Sequence, residues 1–500
     1  MNYYIGIDIG TTSTKAVAFS EKGDVIARET IGYAILHPQA NFSEQHPDEI
    51  LEAVVASIGK ITTALGGLAP VFISFSAAMH SLLLVDDTAT PLTNCIIWAD
   101  NRAAEIGDEL RLSGQGLTFY HDTGVPVHAM SPFCKLIWYK DNMPAVFTAA
   151  HKFIGIKEYI FKKLFGRYLV DTAIASATGL LNIHTLQWDE AILQYAGVRK
   201  TQLSEVVNAT HKEFLLPGSP YFSDPRLQHI IQSAFFIGGS DGGLANLGSG
   251  AVTKNSMAIS IGTSSAVRMV TAEVYTDNYM RTFCYHMANQ YYIIGGASNN
   301  GAVVLQWLKD SLLQTTDTHA QLFEQAASIA PGCNGLLFVP YLLGERAPVW
   351  DAHAKGVFFG LDITHTRAHM VRAVMEGVIY GVYSIGKVLM EKRTVTEIHA
   401  TGGFTQSAFW LQMLCDMFNC TVMVSGAVET SAFGAVKLGM QAMDSNNQWL
   451  PKTTEIYEPN ALRHQTYLRQ FEKMERIYEV LKIEMSNSET HAYASNLGIL

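Results

Sequence analysis

Asp8 stands two residues ahead of the small, hydroxyl-rich run Gly10-Thr11-Thr12. A glycine without Cβ lets backbone approach a phosphate closely, the threonines offer N–H and O–H donors, and a carboxylate at that spacing can hold Mg²⁺ through water beside the phosphates. The pattern recurs: Ile7-Asp-Ile-Gly-Thr-Thr-Ser13 aligns with Ile259-Ser-Ile-Gly-Thr-Ser-Ser265 at an offset of 252. Gly262 and Thr263 keep the donors there, while Ser260 replaces the carboxylate. One such turn alone reads as an ordinary hairpin turn. Two, with the carboxylate in only one, suit a single asymmetric nucleotide and metal site in a cleft between two halves.

Gly402-Gly403 lies between a short strand, Glu397–Thr401, and an amphipathic helix, Ser407–Phe418. It reads as a tight turn or as a bare stretch of backbone on which a flat ring or phosphate can lie. Asp241 ends the apolar run Ala234–Gly238 and precedes Gly242-Gly243, where an Asp is expected to cap the following helix. At the junction of the halves, opposite Asp8, it would instead be a general base, taking the proton of a substrate hydroxyl as that oxygen attacks a γ-phosphate. His80 after one buried run, and Trp98, Asp100 and Arg102 after another, lie at strand ends, where α/β proteins place ligand contacts. Their chemistry suits a polyol, against the plainer reading of a core histidine and a surface Asp–Arg pair. His365 and His369 have i, i+4 spacing without a third ligand, so a solvated helix face is expected. No Walker A run and no G-x-G-x-x-G opening a βαβ unit is present.

The elements that must carry these residues follow from pattern. Tyr4–Gly10, Lys15–Phe19 and Val25–Glu29 predict three antiparallel strands joined by tight turns. Ile50, Leu51, Val54, Val55, Ile58 and Ile61 predict a helix over Asp48–Ala64, and Val71–Phe75 a buried strand after it. The repeat predicts a second such module. Tyr467, Phe471, Met474, Ile477, Leu481 and Ile483 predict a packing helix with a mobile tail at Ser486–Leu500. The 500 residues therefore divide into 1–247, 248–450 and a 451–500 appendage.

Composition agrees: only 16% of residues are charged, the net charge is −10, and no run of five basic residues occurs, which excludes nonspecific nucleic-acid binding. The six cysteines form no C-x-x-C pair. The N-terminus lacks a secretory pattern, and the most membrane-like window, Leu68–Val85, is broken by Pro70 and His80. A soluble, reduced, cytoplasmic protein with no membrane partner is expected.

Asp8–Lys15, Met79-His80, Trp98-Ala-Asp-Asn-Arg102, the Gly-Ser-Asp-Gly around Asp241, Gly262-Thr263, Gly344-Glu-Arg-Ala-Pro348 and Gly402-Gly403 occur in the order seen in the FGGY carbohydrate kinases, and Gly356–Leu361 with His369–Glu376 resembles that family's C-terminal pattern. The resemblance covers roughly residues 4 to 485. Ile5–Val17, Phe72–Ser81, Pro91–Arg102 and Phe153–Leu164 look more like the gluconate-phosphorylating branch than the xylulose or glycerol branches. The family implies an α/β chain of two ribonuclease-H-like domains of the actin/hexokinase type, with ATP and Mg²⁺ in the interdomain cleft. It implies Asp241 as the base, Asp8 at the metal, and Met79, His80, Trp98, Asp100 and Arg102 around the sugar, with Arg102 or His80 meeting a sugar-acid carboxylate. It places Gly10, Thr11, Thr12, Gly262 and Thr263 at the phosphates and Gly402 and Gly403 at the adenosine. Where related kinases carry Asn or Lys-Ser after that Gly-Gly, this chain has Phe404-Thr-Gln-Ser407, so Gln406, with Ala302 and Gln306 as neighbours, is the expected adenine contact. The expected reaction is ATP-dependent phosphorylation of D-gluconate at the C6 hydroxyl. Its rivals are a kinase for a neutral sugar of the xylulose type, a non-catalytic sugar sensor, and an actin- or chaperone-like ATPase. A homodimer is common in such kinases and stays open.

Overall fold

A computed structural model describes residues 2–426, 429–443, 449 and 451–486. The chain forms two compact units. The first comprises Met1–Val252, Val270–Ile294 and Ala427–Lys452, and the second Thr253–Met269, Gly295–Gly426 and Thr453–Leu500.

The first unit opens with β1 (Tyr3–Ile9), β2 (Ser13–Ser20) and β3 (Val25–Gly32), antiparallel as the turn signals require. Helix α1 (Pro47–Ala64) follows, with Pro47 in its first turn beside Asp48 and Glu49. All six apolar positions read from the sequence are buried on its inner face. The fully buried β4 (Phe72–Ala77) pairs parallel to β1, and β5 (Ala234–Ser240) pairs parallel to β4. The order β3-β2-β1-β4-β5, closed at the β5 edge by the short strand Lys212–Glu213, is the ribonuclease-H-like arrangement. Helix α2 (Asp241–Ser249) leaves the end of β5 directly.

The second unit repeats the plan from β6 (Ser256–Ile261) and β7 (Ser265–Thr271), an antiparallel pair joined by the predicted Gly-Thr turn. Parallel to β6 runs β8 (Glu397–Thr401), then β9 (Thr421–Ser425) parallel to β8. The order β7-β6-β8-β9 thus reproduces β2-β1-β4-β5. Among the described residues one helix, Arg367–Met390, is long and apolar enough to cross a membrane, yet 83% of its apolar window is buried inside the protein.

Helix α3 (Thr430–Ala442) packs in the first unit although it follows the second in sequence. Glycines make the approach close. A Cβ on Gly6 of β1 would stand 2.3 Å from the Ala432 carbonyl oxygen, and one on Gly248 or Gly434 would stand 1.9 Å from a carbonyl oxygen of the opposite helix, α3 or α2. The first unit's leading segment ends at Val252, but Val270–Ile294 and Ala427–Lys452, expected in the second half, belong to the first unit as well. The C-terminal helix Ala461–Ser486 buries Tyr467, Phe471, Met474 and Tyr478, whereas Ile483, expected on that face, is 70% exposed. The expected tail past Ser486 lies outside the described residues. His365 and His369 are not on a solvated face: their rings meet edge to face at 5.2 Å, with His369 buried and bonded to Asn334 and Thr366.

Candidate active site

Three strand ends of the first unit meet around Asp8. Its register partners are Lys15 on β2 and Ser76 on β4, and the Ser76 hydroxyl donates to Asp8 Oδ1 at 2.9 Å. Burial first, and the Asp241 charge second, push the Asp8 carboxyl up to about 6. The ammonium of Lys15 pairs with Glu429 at 3.0 Å, so one cation and three carboxylates share this corner.

Asp241 is brought there by a break in β5. The β4–β5 register shifts between Phe236 and Gly239, and Gly238 takes φ +65°, with an ideal Cβ only 1.6 Å from the Phe75 carbonyl oxygen. Only glycine fits, and the bulge re-aims the chain so that Ser240 and Asp241 start α2. Ser240, not Asp241, is the cap: its hydroxyl accepts from the Gly243 N–H, and Asp241 is the first helical residue, accepting from the Gly242 N–H at 2.6 Å. The cap shifts by one position because a serine at the strand end reaches the N3 amide and leaves the aspartate to project.

The Gly10–Thr12 turn is pinned from outside. Gly10 N–H donates to the Ser13 carbonyl, the Tyr33 hydroxyl donates to the Gly10 carbonyl at 2.6 Å, and the Gln45 amide donates to the Thr11 carbonyl at 2.6 Å. Trp98 Nε1 donates to Thr11 Oγ1 at 2.9 Å, and Thr12 is exposed. With the Gly10, Thr11 and Thr12 carbonyls already satisfied, the turn leaves the hydroxyls of Thr11 and Thr12 as donors, the polarity an anion needs.

Met79 is half-buried and packs against a buried cluster that includes Phe283 and Tyr285, while His80 is buried with φ +67°, an uncommon conformation for a residue with a side chain. His80 Nδ1 donates to the Ala177 carbonyl at 2.8 Å, which fixes the tautomer. Its own carbonyl and that of Ile97 each accept from Lys135 Nζ at 2.8 Å. Burial pushes the Lys135 ammonium down to about 7.

Asp100 and Arg102 are not the surface pair of the plainer reading. Asp100 is fully buried and accepts two bonds from the Arg102 guanidinium and one from the Ser43 N–H, while Arg102 also pairs with Glu44 at 2.5 Å and lies 3.7 Å from the centre of the Phe42 ring. The Arg102 side chain is 2% exposed. A planar fork between two carboxylates and an aromatic face is held as structure, and the pair is not at the surface. Of that segment, Trp98 alone reaches the Gly10–Thr12 turn.

In the second unit the Gly262–Ser264 turn accepts the start of the helix Ala302–Trp307: Ala302 N–H donates to the Gly262 carbonyl at 2.7 Å and Gly301 N–H to the Thr263 carbonyl at 3.2 Å. Gly402, at φ +100°, packs on β6, where a Cβ would stand 2.5 Å from the Ile261 carbonyl oxygen. Gly403 faces open space, with nothing within 4 Å of where its Cβ would be. The expected strand-to-helix turn contains a short 3₁₀ segment, Gly403–Gln406, before Ser407 caps the helix. Thr263, Gly402, Gly403 and Gln406 are exposed together on these loops. Gln306 is exposed on its helix and donates to Asp310, and Val303, Val304 and Trp307 of that helix line a 170 Å³ cavity with Leu342 and Leu343.

A magnesium ion suits the Asp8 corner. The ion takes one or two carboxylates and keeps several waters or phosphate oxygens, and among the described residues no group of three or more His, Cys, Asp or Glu forms an all-protein cage. Asp8, whose pKa burial raises first and the neighbouring Asp241 charge second, forms with it a donor set that a divalent cation relieves.

Two stretches of the chain match family models: residues 3–216 match the FGGY family of carbohydrate kinases, N-terminal domain, and residues 257–443 the C-terminal domain of the same family. A gluconokinase from Bacillus licheniformis is 44% identical over 456 residues, covering 88% of each chain. The crystal structure of a gluconate kinase from Lactobacillus acidophilus superposes with a TM-score of 0.92 at 33% identity over 97% of this chain and 99% of that one. A ligand-bound xylulose kinase from the same organism gives 0.92 at 34% identity over 96% and 99%. With both of its halves matched in sequence and its repeated ribonuclease-H-like fold shared with these structures, the chain belongs to the FGGY family of carbohydrate kinases.

Proposed function

We propose that this kinase transfers the γ-phosphoryl group of ATP to the C6 hydroxyl of D-gluconate, giving 6-phosphogluconate. The observation that carries the chemistry is the convergence of Asp8 and Asp241 on one corner of the first unit, beside a turn whose donors face outward. The substrate rests on the gluconokinase relative, identical at 44% of aligned positions, against 27% for a xylulose kinase from Staphylococcus xylosus.

In this reading Asp241 accepts the proton of the C6 hydroxyl as its oxygen attacks phosphorus, and the bond from the γ-phosphorus to the bridging oxygen of ADP breaks. Thr11 and Thr12 donate to phosphoryl oxygens, and the ordered turn is already in the conformation they need. Asp8, oriented by Ser76, would hold Mg²⁺, which when bound neutralises charge on the phosphates. For the nucleotide we assign Gly262, Thr263, Gly402 and Gly403, with Ala302, Gln306 and Gln406 around the base. His80 and Trp98, with Met79 behind them, are assigned to the sugar. Dependence on ATP fits a cytoplasmic enzyme.

An ADP-release assay over gluconate, xylulose, ribulose, glycerol and fuculose tests the substrate, and gluconate is expected to give the largest kcat/KM. A larger value for any neutral sugar would sink that assignment. Asp241→Ala is expected to lower kcat by at least about a thousandfold, and near wild-type transfer in that variant would remove Asp241 from the chemistry.

A further inference from the structure

The first unit buries a second pair of opposite charges that the mechanism above does not use. Lys157, on the helix Ile156–Phe165, is 2% exposed at its side chain, and its ammonium lies 2.5 Å from Asp171 Oδ2, which is fully buried. The ammonium also donates to the carbonyls of Ile237 and Gly239, each at 3.1 Å. Those carbonyls flank Gly238, where β5 loses register with β4. A bulge leaves ladder groups without strand partners, and a buried carbonyl without one is costly, so the ammonium stands in for the missing ladder. Two residues after Gly239 the chain reaches Asp241.

Asp171 acts on the opposite side. Its other oxygen, Oδ1, accepts from the Ala173 and Ile174 N–H groups and so caps the short helix Thr172–Ser176. The residue that ends this helix, Ala177, supplies the carbonyl that holds His80 Nδ1 at 2.8 Å. The helix is further tied by Ser176, whose hydroxyl accepts from the His286 N–H at 2.9 Å. One ion pair is therefore linked, through the bulge it bonds and through the helix it caps, to the strand end that carries Asp241 and to the ring of His80.

We propose that Lys157 and Asp171 are positioning residues, Lys157 setting the Asp241 carboxylate through the β5 bulge and Asp171 setting the His80 imidazole through the helix it caps. The inference rests on the reading of Asp241 as base and His80 as sugar contact. Neither member of the pair touches substrate. An apolar pair would pack as well but could not donate to two bulge carbonyls while accepting two helix N–H groups, and this four-way demand is met by an ammonium beside a carboxylate.

Two charge-free double variants separate the two roles without leaving a buried ion unpaired. Lys157→Met with Asp171→Asn removes the clamp on β5 and keeps an Oδ1 that can cap the helix. Lys157→Met with Asp171→Ala removes both. With thermal melting used to compare the folded state, the first variant is expected to lose at least about tenfold in kcat while its gluconate KM stays within about twofold. The second is expected to show the same kcat loss plus a gluconate KM raised at least about fivefold. A purely structural pair would lower the active fraction of both variants, which reduces kcat and leaves KM alone. The proposal is overturned if the first variant, folded, keeps kcat within about twofold of the parent, or if the two variants have the same gluconate KM. Asp241→Asn run in parallel isolates the underlying reading: if it retains kcat, the base assignment has failed on its own, whereas a large loss there beside an unaffected first variant refutes only the positioning role.

Discussion

Trp98 donates its indole N–H to Thr11 Oγ1 at 2.9 Å, which ties a residue assigned to the sugar to the turn assigned to the phosphates. The bond leaves the Thr11 hydroxyl proton to be donated elsewhere, because its acceptor lone pair is the one in use. Trp98→Phe keeps the aromatic wall and removes the donor. A double-mutant cycle of Trp98→Phe with Thr11→Val is expected to give a coupling of about 1 kcal/mol in kcat/KM for ATP. Additive effects would mean that the bond does not orient the threonine in the working enzyme.

Asp8 makes the protein less stable in its charged form. A carboxyl held at about 6, against an ordinary 3.8, keeps its proton in the folded state over a range of pH where the unfolded chain has released it. Stability therefore falls as pH rises from about 4 to about 6, the reverse of a salt-bridged carboxylate. Asp8→Asn is expected to stabilise the metal-free protein by about 1–3 kcal/mol at pH 8 and by nothing measurable near pH 4, while abolishing phosphoryl transfer. Urea unfolding at the two pH values checks the sign. If magnesium binds here, raising its concentration moves the acid limb of activity to lower pH.

Gly238 and Gly403 predict opposite phenotypes. Gly238→Ala places a methyl group 1.6 Å from the Phe75 carbonyl oxygen at a positive φ, and is expected to destabilise the fold by about 3 kcal/mol or more with a collapse of kcat. Gly403→Ala meets no atom within 4 Å, so the melting temperature should not change. Its methyl group would intrude on the nucleotide, and the KM for ATP is expected to rise about three- to tenfold with the gluconate KM unaltered. Unchanged ATP affinity would remove Gly403 from the nucleotide site.

Arg102 is expected to matter for folding and not for recognition of the substrate's charge. Arg102→Met leaves Asp100 and Glu44 without their shared cation, and a loss of about 3–5 kcal/mol is expected. In whatever fraction stays folded, the ratio of kcat/KM for gluconate to that for xylulose should equal the parent's. A selective loss of gluconate activity would return Arg102 to the sugar.

Much of this site was legible as sequence because its parts are local. The turns at Gly10 and Gly262, the strand before each, and α1 with its six buried apolar positions are determined by neighbours a few residues apart, and the repeat at an offset of 252 tied the two copies together. The burial of Asp100 and Arg102 was not legible, for the complementary reason. Two residues apart, they can pair with each other, and whether that pair faces solvent, ligand or core depends on Phe42, Ser43 and Glu44, more than fifty residues earlier. Lys135 and Lys157 were passed over because a lysine in an amphipathic helix reads as solvated, and nothing local announces that distant backbone carbonyls will receive its protons.

By itself, then, the sequence determined the duplicated strand–turn–strand modules, the identity of the carboxylates and the family to which they belong, since turn chemistry and periodicity act over short range. Tertiary structure decided that Ser240 caps α2 so that Asp241 projects, that Gly238 breaks the β5 ladder, that α3 returns to the first unit, and that Arg102 is buried between two carboxylates. Each of these turns on a contact between segments tens to hundreds of residues apart, where steric fit and the satisfaction of buried polar groups, not local preference, select one conformation.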